Sequence, residues 1–294
     1  MSDIFDELIK DPEFSSLLSE IFPANNSDDV LNNIERLVNG TDLFGTIIVD
    51  YYKKTEAELF YNLLNSVCNK QDSYSFDCFG VYFFWDFYTK EILYIGYTSN
   101  LRGRFGQHNG LEEVKNPNGI KYEEICNYFK TKEKLGYSIL VQSPFKHKAN
   151  SHFYTKDKEV KIIEGAILEE YRKKFSKYPS WNKRGGDKLG RSPKIIKRYG
   201  NIFEMITLSQ PSFLNAKSTL REIAAYQNVR STEFELNSIR SYMYKYGEDF
   251  ESAIEKLLKY YKFMAQKGFL AGLEGYTTLE LLRNADYLKK QIIL

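Results

Sequence analysis

One stretch constrains the fold more than any other. It is CFGVYFFWDFYTKEILYIGYTSNLRGRFGQHN, residues 78–109. Its first part, residues 78–87, is short and dense in aromatic and β-branched residues, so it reads as a strand. Asp86 to Glu91 supplies a turn, and residues 91–98 form a second strand. Asn100 can then cap a helix that begins at Leu101, and Asn109-Gly110 ends it. A hairpin that runs straight into a helix makes this region α+β.

The surrounding chain extends that unit. A helix is expected around residues 121–134 and a third strand over 137–142. A longer helix is expected from Val160 to about Phe175, with Ile163, Ala166, Ile167 and Tyr171 on one side. Pro179, Trp181 and Asn182 follow in a loop. The expected architecture is a small domain over residues 75–187, with a three-stranded antiparallel sheet flanked by helices. Residues 1–74 read as a mostly helical, acidic region, and residues 188–213 as a basic linker with glycine punctuation. Residues 214–294 read as helical again, over 217–226, 232–246, 249–267 and 276–290.

The net charge of +2 conceals strong polarity. Residues 1–78 carry 15 acidic and 5 basic side chains, whereas residues 146–198 carry 6 acidic and 16 basic ones. A basic block attracts phosphate backbones when it lies beside the chemistry. The three cysteines lack paired spacing, which suits reduced thiols better than zinc or disulfides. Three histidines are too few for a His-rich metal site. The acidic start lacks secretory features, and no apolar run is long enough to span a bilayer. A cytoplasmic protein without membrane attachment is expected.

The ordered set of polar residues points to a chemistry. Tyr82 and Tyr94 lie on the paired strands, separated by the eleven residues 83–93. Arg104 follows on the next helix, and His108 lies one turn further along the same face. Glu164 lies on the later helix and Asn182 after a proline. These residues, in GVYFFWDFYTKEILYIGYTSNLRGRFGQHN and IEGAILEEYRKKFSKYPSWN, resemble the GIY-YIG nucleases. The resemblance implies a metal-dependent endonuclease acting on DNA rather than RNA, with Mg²⁺ or Mn²⁺. It implies that Tyr82 or Tyr94 deprotonates or orients the attacking water, and that Glu164 holds the metal. Arg104 would offer a planar fork to phosphate oxygens. His108 would hydrogen-bond a tyrosine or donate a proton, and Asn182 would fix the phosphate or its loop.

Glu170 is the alternative metal ligand, because the family's glutamate usually precedes its closing asparagine by about a dozen residues. Glu164 is preferred on periodicity: its neighbours at +3, +4 and +7 are apolar, whereas Glu170 is followed at +3 and +4 by Lys173 and Lys174. Tyr97, Arg102, Lys146, Lys148, Lys183 and Arg184 are the expected nucleic-acid contacts. The large flanks suggest a restriction or mobile-element enzyme, with a structure-selective repair nuclease as a variant. A catalytically silent nucleic-acid-binding module is the contrasting reading, because Tyr97 stands where many family members have lysine. The C-terminal helices are the expected place for a DNA-reading helix or a homodimer interface.

Overall fold

The computed structural model describes residues 10–21, 45–69, 75–114, 117, 119–142, 156–191, 202–210, 214–246, 249–268 and 279–280. Helix α1 spans Pro12–Ile21, strand β1 Thr46–Lys53 and helix α2 Ala57–Val67. The hairpin follows as β2, Gly80–Asp86, and β3, Ile92–Thr98. Next come α3, Leu101–Asn109, α4, Tyr122–Tyr128, and β4, Lys134–Val141. Helix α5 is Lys156–Phe175. Beyond it lie α6, Ile202–Ile206, α7, Leu220–Ala225, α8, Gln227–Tyr246, and α9, Phe250–Gln266. The expected helix over 276–290 lies, apart from residues 279–280, outside the described residues.

The sheet has four antiparallel strands in the order β1-β4-β2-β3, one more than expected. The extra strand comes from within residues 1–74. Its TIIVDYY run is β-branched and aromatic, and its partner β4 pairs Thr46 with Val141 through Lys53 with Lys134. Helix α4 is correspondingly shorter than expected, and β4 starts at Lys134 rather than Tyr137.

Central strand β2 is buried on both faces, which explains its unbroken apolar run. Val81, Phe83 and Trp85 pack with α5 and α6; Tyr82 and Phe84 pack with α2, α3 and α7. Both sheet edges are covered. Ile47 on β1 donates its N–H to the Leu214 carbonyl at 2.8 Å and accepts from Ala216 at 2.7 Å. On β3, Trp181 donates to the Leu93 carbonyl at 2.8 Å. These contacts occupy part of each edge and leave less backbone for another strand to pair with.

Two contacts fasten the C-terminal helices to the sheet. Arg221 on α7 pairs with Asp50 of β1 at 2.6 Å and with Glu56 at 3.0 Å. Arg240 on α8 is almost fully buried; it donates to the Thr46 hydroxyl at 2.8 Å and pairs with Glu233 at 3.4 Å. Helices α1, α8 and α9 build a further core around Phe14, Ile239, Ile254 and Leu257. Among the described residues, no helix is long and apolar enough to cross a membrane.

The expected basic linker is not featureless. It contains α6, and residues 186–190 lie against α5. Gly186 sits so close to the Glu164 carboxyl that any side chain would collide with it, and Gly190 meets the Ile162 carbonyl in the same way.

Candidate active site

Strand alternation decides which side chains meet. Tyr82 lies opposite Gly96 and Phe84 opposite Tyr94. Tyr82 and Tyr94 are therefore diagonal neighbours on one face, with ring centroids 5.8 Å apart. Gly96 makes the space: a Cβ there would lie 2.7 Å from both the Tyr82 hydroxyl and the Tyr94 ring.

Helix α3 brings the nitrogen donors. Asn100 caps it by accepting from the Gly103 N–H at 3.0 Å, and Gly110 closes it in the left-handed conformation at φ 72°. Between these ends, Arg104 Nε donates to the Tyr82 hydroxyl at 3.2 Å. His108 Nε2 lies 2.8 Å from the same oxygen. The Lys121 backbone N–H donates to His108 Nδ1 at 2.9 Å, so Nδ1 must carry a lone pair. A neutral imidazole then has its proton on Nε2 and donates it to Tyr82. Two N–H donors thus converge on one phenol oxygen.

Burial pushes the His108 pKa well below its ordinary value, and the charges of Arg104 and Lys121 push the same way. The ring is neutral at pH 7. In this arrangement it serves as a hydrogen-bond donor, the first of its two expected roles. Burial also raises Tyr82 well above an ordinary phenol, with the neighbouring Tyr94 adding to the rise and Arg104 opposing it. Tyr94 is raised by burial, while the Tyr82 hydrogen bond and Arg104 oppose the rise and Glu164 adds to it.

Tyr94 lines an open cleft of about 950 Å³, together with Gln107, Lys121, Glu164, Lys183 and Arg184. Tyr82 lies behind it and is 1% exposed. Helix α5 delivers Glu164 to the cleft at 9% exposure. Among the described residues, Glu164 has neither an ion-pair nor a hydrogen-bond partner. Burial raises its carboxyl to about 8; the charge of Asp187 adds to this and Arg191 opposes it. Such a group holds its proton at neutral pH until a cation takes the proton's place. No cluster of three or more His, Cys, Asp or Glu forms among the described residues. A lone, unpaired carboxylate in a polar cleft fits a hard divalent ion that keeps most of its waters.

Glu170, six positions further along, faces another side of α5 and pairs with Lys173 at 3.1 Å. Asn182 spends its whole amide on β3: Oδ1 accepts from the Ile95 N–H at 2.9 Å, and Nδ2 donates to the Ile95 carbonyl at 2.8 Å. It therefore pins its loop rather than presenting free polar atoms. Lys183 and Arg184 are exposed at the cleft, with no ion pair among the described residues. Arg102 lies outside the cleft lining, its guanidinium 4.1 Å from the Tyr61 ring centroid. Tyr97 also lies outside it, under Lys161 of α5 at 5.3 Å. Lys146 and Lys148 lie outside the described residues.

Sequence reasoning missed Gly119 and Lys121. Gly119, at φ 79°, turns its carbonyl toward Arg104 Nη2, which donates to it at 3.3 Å. Lys121 is 4% exposed, and its ammonium lies 5.3 Å from the Tyr94 ring centroid. The loop carrying both has no periodicity, so only the Asn-Gly pair at 118–119 hinted at a turn.

Residues 78–178 match the family model described as the GIY-YIG catalytic domain, which indicates a nuclease-type function in general terms. No curated protein and no solved structure matches the chain.

Proposed function

We propose that this chain, whose central segment is a GIY-YIG catalytic domain, is a divalent-metal-dependent endonuclease that hydrolyses DNA phosphodiester bonds. One observation carries this reading. Tyr82, Tyr94, Arg104 and His108 converge beside a cleft in which the buried Glu164 carboxyl has no partner among the described residues.

The residues divide the work. The Tyr82–Tyr94 pair orients the attacking water, with Tyr94 on the cleft side. Arg104 and neutral His108 donate N–H groups to Tyr82 and fix its hydroxyl in place. Both tyrosines are raised above an ordinary phenol, so they stay protonated and position the water by hydrogen bonds. Glu164, once deprotonated, would hold the cation. A bound Mg²⁺ or Mn²⁺ would neutralise charge on the phosphate. Lys183 and Arg184 hold the neighbouring backbone by charge. The helical flanks supply the surface that selects a target, as in a restriction or mobile-element enzyme.

Supercoiled plasmid incubated with the full chain and Mg²⁺ or Mn²⁺ tests the reading. Nicking or linearisation is expected. EDTA should abolish it, and Arg104→Ala should reduce it by about 10²-fold or more, as loss of a positioned charge donor does. Intact plasmid under every metal condition, with DNA still bound, would favour the silent binding module.

A further inference from the structure

Among the described residues, Lys121 is an anomaly, because the other lysines there reach the surface. Its side chain is 5% exposed, and burying a lysine is costly unless something is gained. One carboxylate partner is present, Glu124 on the first turn of α4, at 3.1 Å and 30% exposed. The ammonium lies 5.3 Å from the Tyr94 ring centroid. The backbone of the same residue fixes the His108 tautomer at 2.9 Å. Lys121, Glu124, Tyr94 and Glu164 all line one cleft. The lysine is therefore held in place at both ends, by its N–H on His108 and by its ammonium on Glu124. The grouping opens onto the cleft.

We propose that Lys121 is a phosphate-binding cation of the cleft, and that the Glu124 carboxylate holds its ammonium until a phosphodiester displaces it. The proposal rests on the nuclease reading for its substrate. The exchange conserves charge: one oxyanion leaves the ammonium as another arrives. It also explains why the carboxylate is the more exposed partner of the pair, since Glu124 can swing into solvent while Lys121 stays where Tyr94 and His108 hold it.

The test combines DNA binding over a range of salt with single-turnover cleavage at saturating DNA. It uses the full chain as wild type, Lys121→Gln, Lys121→Arg and Glu124→Gln. Lys121→Gln should reduce the slope of log affinity against log salt by about 1. Its cleavage rate should fall by about 10²-fold, and Lys121→Arg should recover part of both losses. Glu124→Gln, at a half-exposed site that need not disturb folding, should bind DNA more tightly than wild type because the competing carboxylate is gone.

An unchanged salt slope in a folded Lys121→Gln, or weaker DNA binding in Glu124→Gln, would overturn the proposal. If Lys121→Gln does not fold, the Glu124→Gln affinity decides by itself. The nuclease reading fails separately, when wild type binds DNA but does not cut it; the salt slopes still report on Lys121 in that case.

Discussion

At Gly96 a hydrogen stands where any other residue would place a methyl group against the Tyr82 hydroxyl and the Tyr94 ring. The Tyr82 ring has no room to retreat, because it is fully buried against Phe84 and His108. Gly96→Ala is expected to cost about 1–3 kcal/mol, the usual range for overpacking a dense core. It should also separate the two hydroxyls and stop cleavage in protein that still folds. Urea unfolding beside a plasmid assay measures both effects; a stable Gly96→Ala with full activity would show that the tyrosines do not work as a pair. Tyr82, Tyr94, Arg104 and His108 were singled out by their resemblance to the family's motif, and strand alternation and helical spacing account for their meeting in the fold. Lys121 was not legible, because its place depends on a loop turn at Gly119 and a bond to His108. No period in the sequence encodes either one. For Asn182, holding a loop was one of two expected uses, but that its amide meets Ile95 of β3 was not legible. An asparagine after a proline says nothing about which backbone its amide will meet.

The Pro179–Asn182 loop works as a strap on the sheet. Trp181 and Asn182 together fill three backbone positions along the edge of β3, at Leu93 and Ile95. That edge carries Tyr94 between them. Asn182→Ala removes two hydrogen bonds and is expected to cost about 1–3 kcal/mol. Trp181 packs on Phe84 and Tyr128, so its fluorescence should shift as the loop lifts. Unchanged stability and fluorescence would mean that the loop stays docked without the amide. Helix α5 was readable from its apolar spacing, and so was the Glu170–Lys173 pair, but the solvated face expected around Glu170 was not found: its 8% exposure matches the 9% of Glu164, because both lie on a helix packed against the sheet. Strand β1 was overlooked for a physical reason. Its TIIVDYY run lies between stretches with helical spacing, and its partner β4 lies far away in the chain. Pairing that distant is decided by tertiary packing, which local pattern cannot report.

For the molecule as a whole, buried carboxyls tie stability to pH. Burial raises Glu164 to about 8 and Glu235 to about 8, where Tyr261 donates to Glu235 at 2.8 Å. Both start from 4.5 when unfolded. Folding therefore favours the protonated forms, and their contribution is complete below about pH 4.5. It declines as pH rises and is lost by about pH 8, where the folded groups ionise. Unfolding of chelator-treated protein should accordingly show a stability falling from pH 5 to pH 8, with Glu235→Gln flattening the slope. A slope identical to wild type in that variant would mean that Glu235 is not a buried acid. The polarity of charge along the chain was plain in the sequence, and it places Lys183 and Arg184 at the cleft. The attachment of the C-terminal helices through Arg240 and Arg221 was not, since neither arginine differs in pattern from a surface cation. A single hydrolytic site built from the tyrosine cleft and Glu164 is tested by Mg²⁺-dependent cleavage of plasmid DNA by Glu164→Gln and Glu170→Gln, side by side with wild type. Glu164→Gln should be inactive yet folded, and Glu170→Gln should cut at close to the wild-type rate. Full activity in Glu164→Gln, or loss confined to Glu170→Gln, would contradict it.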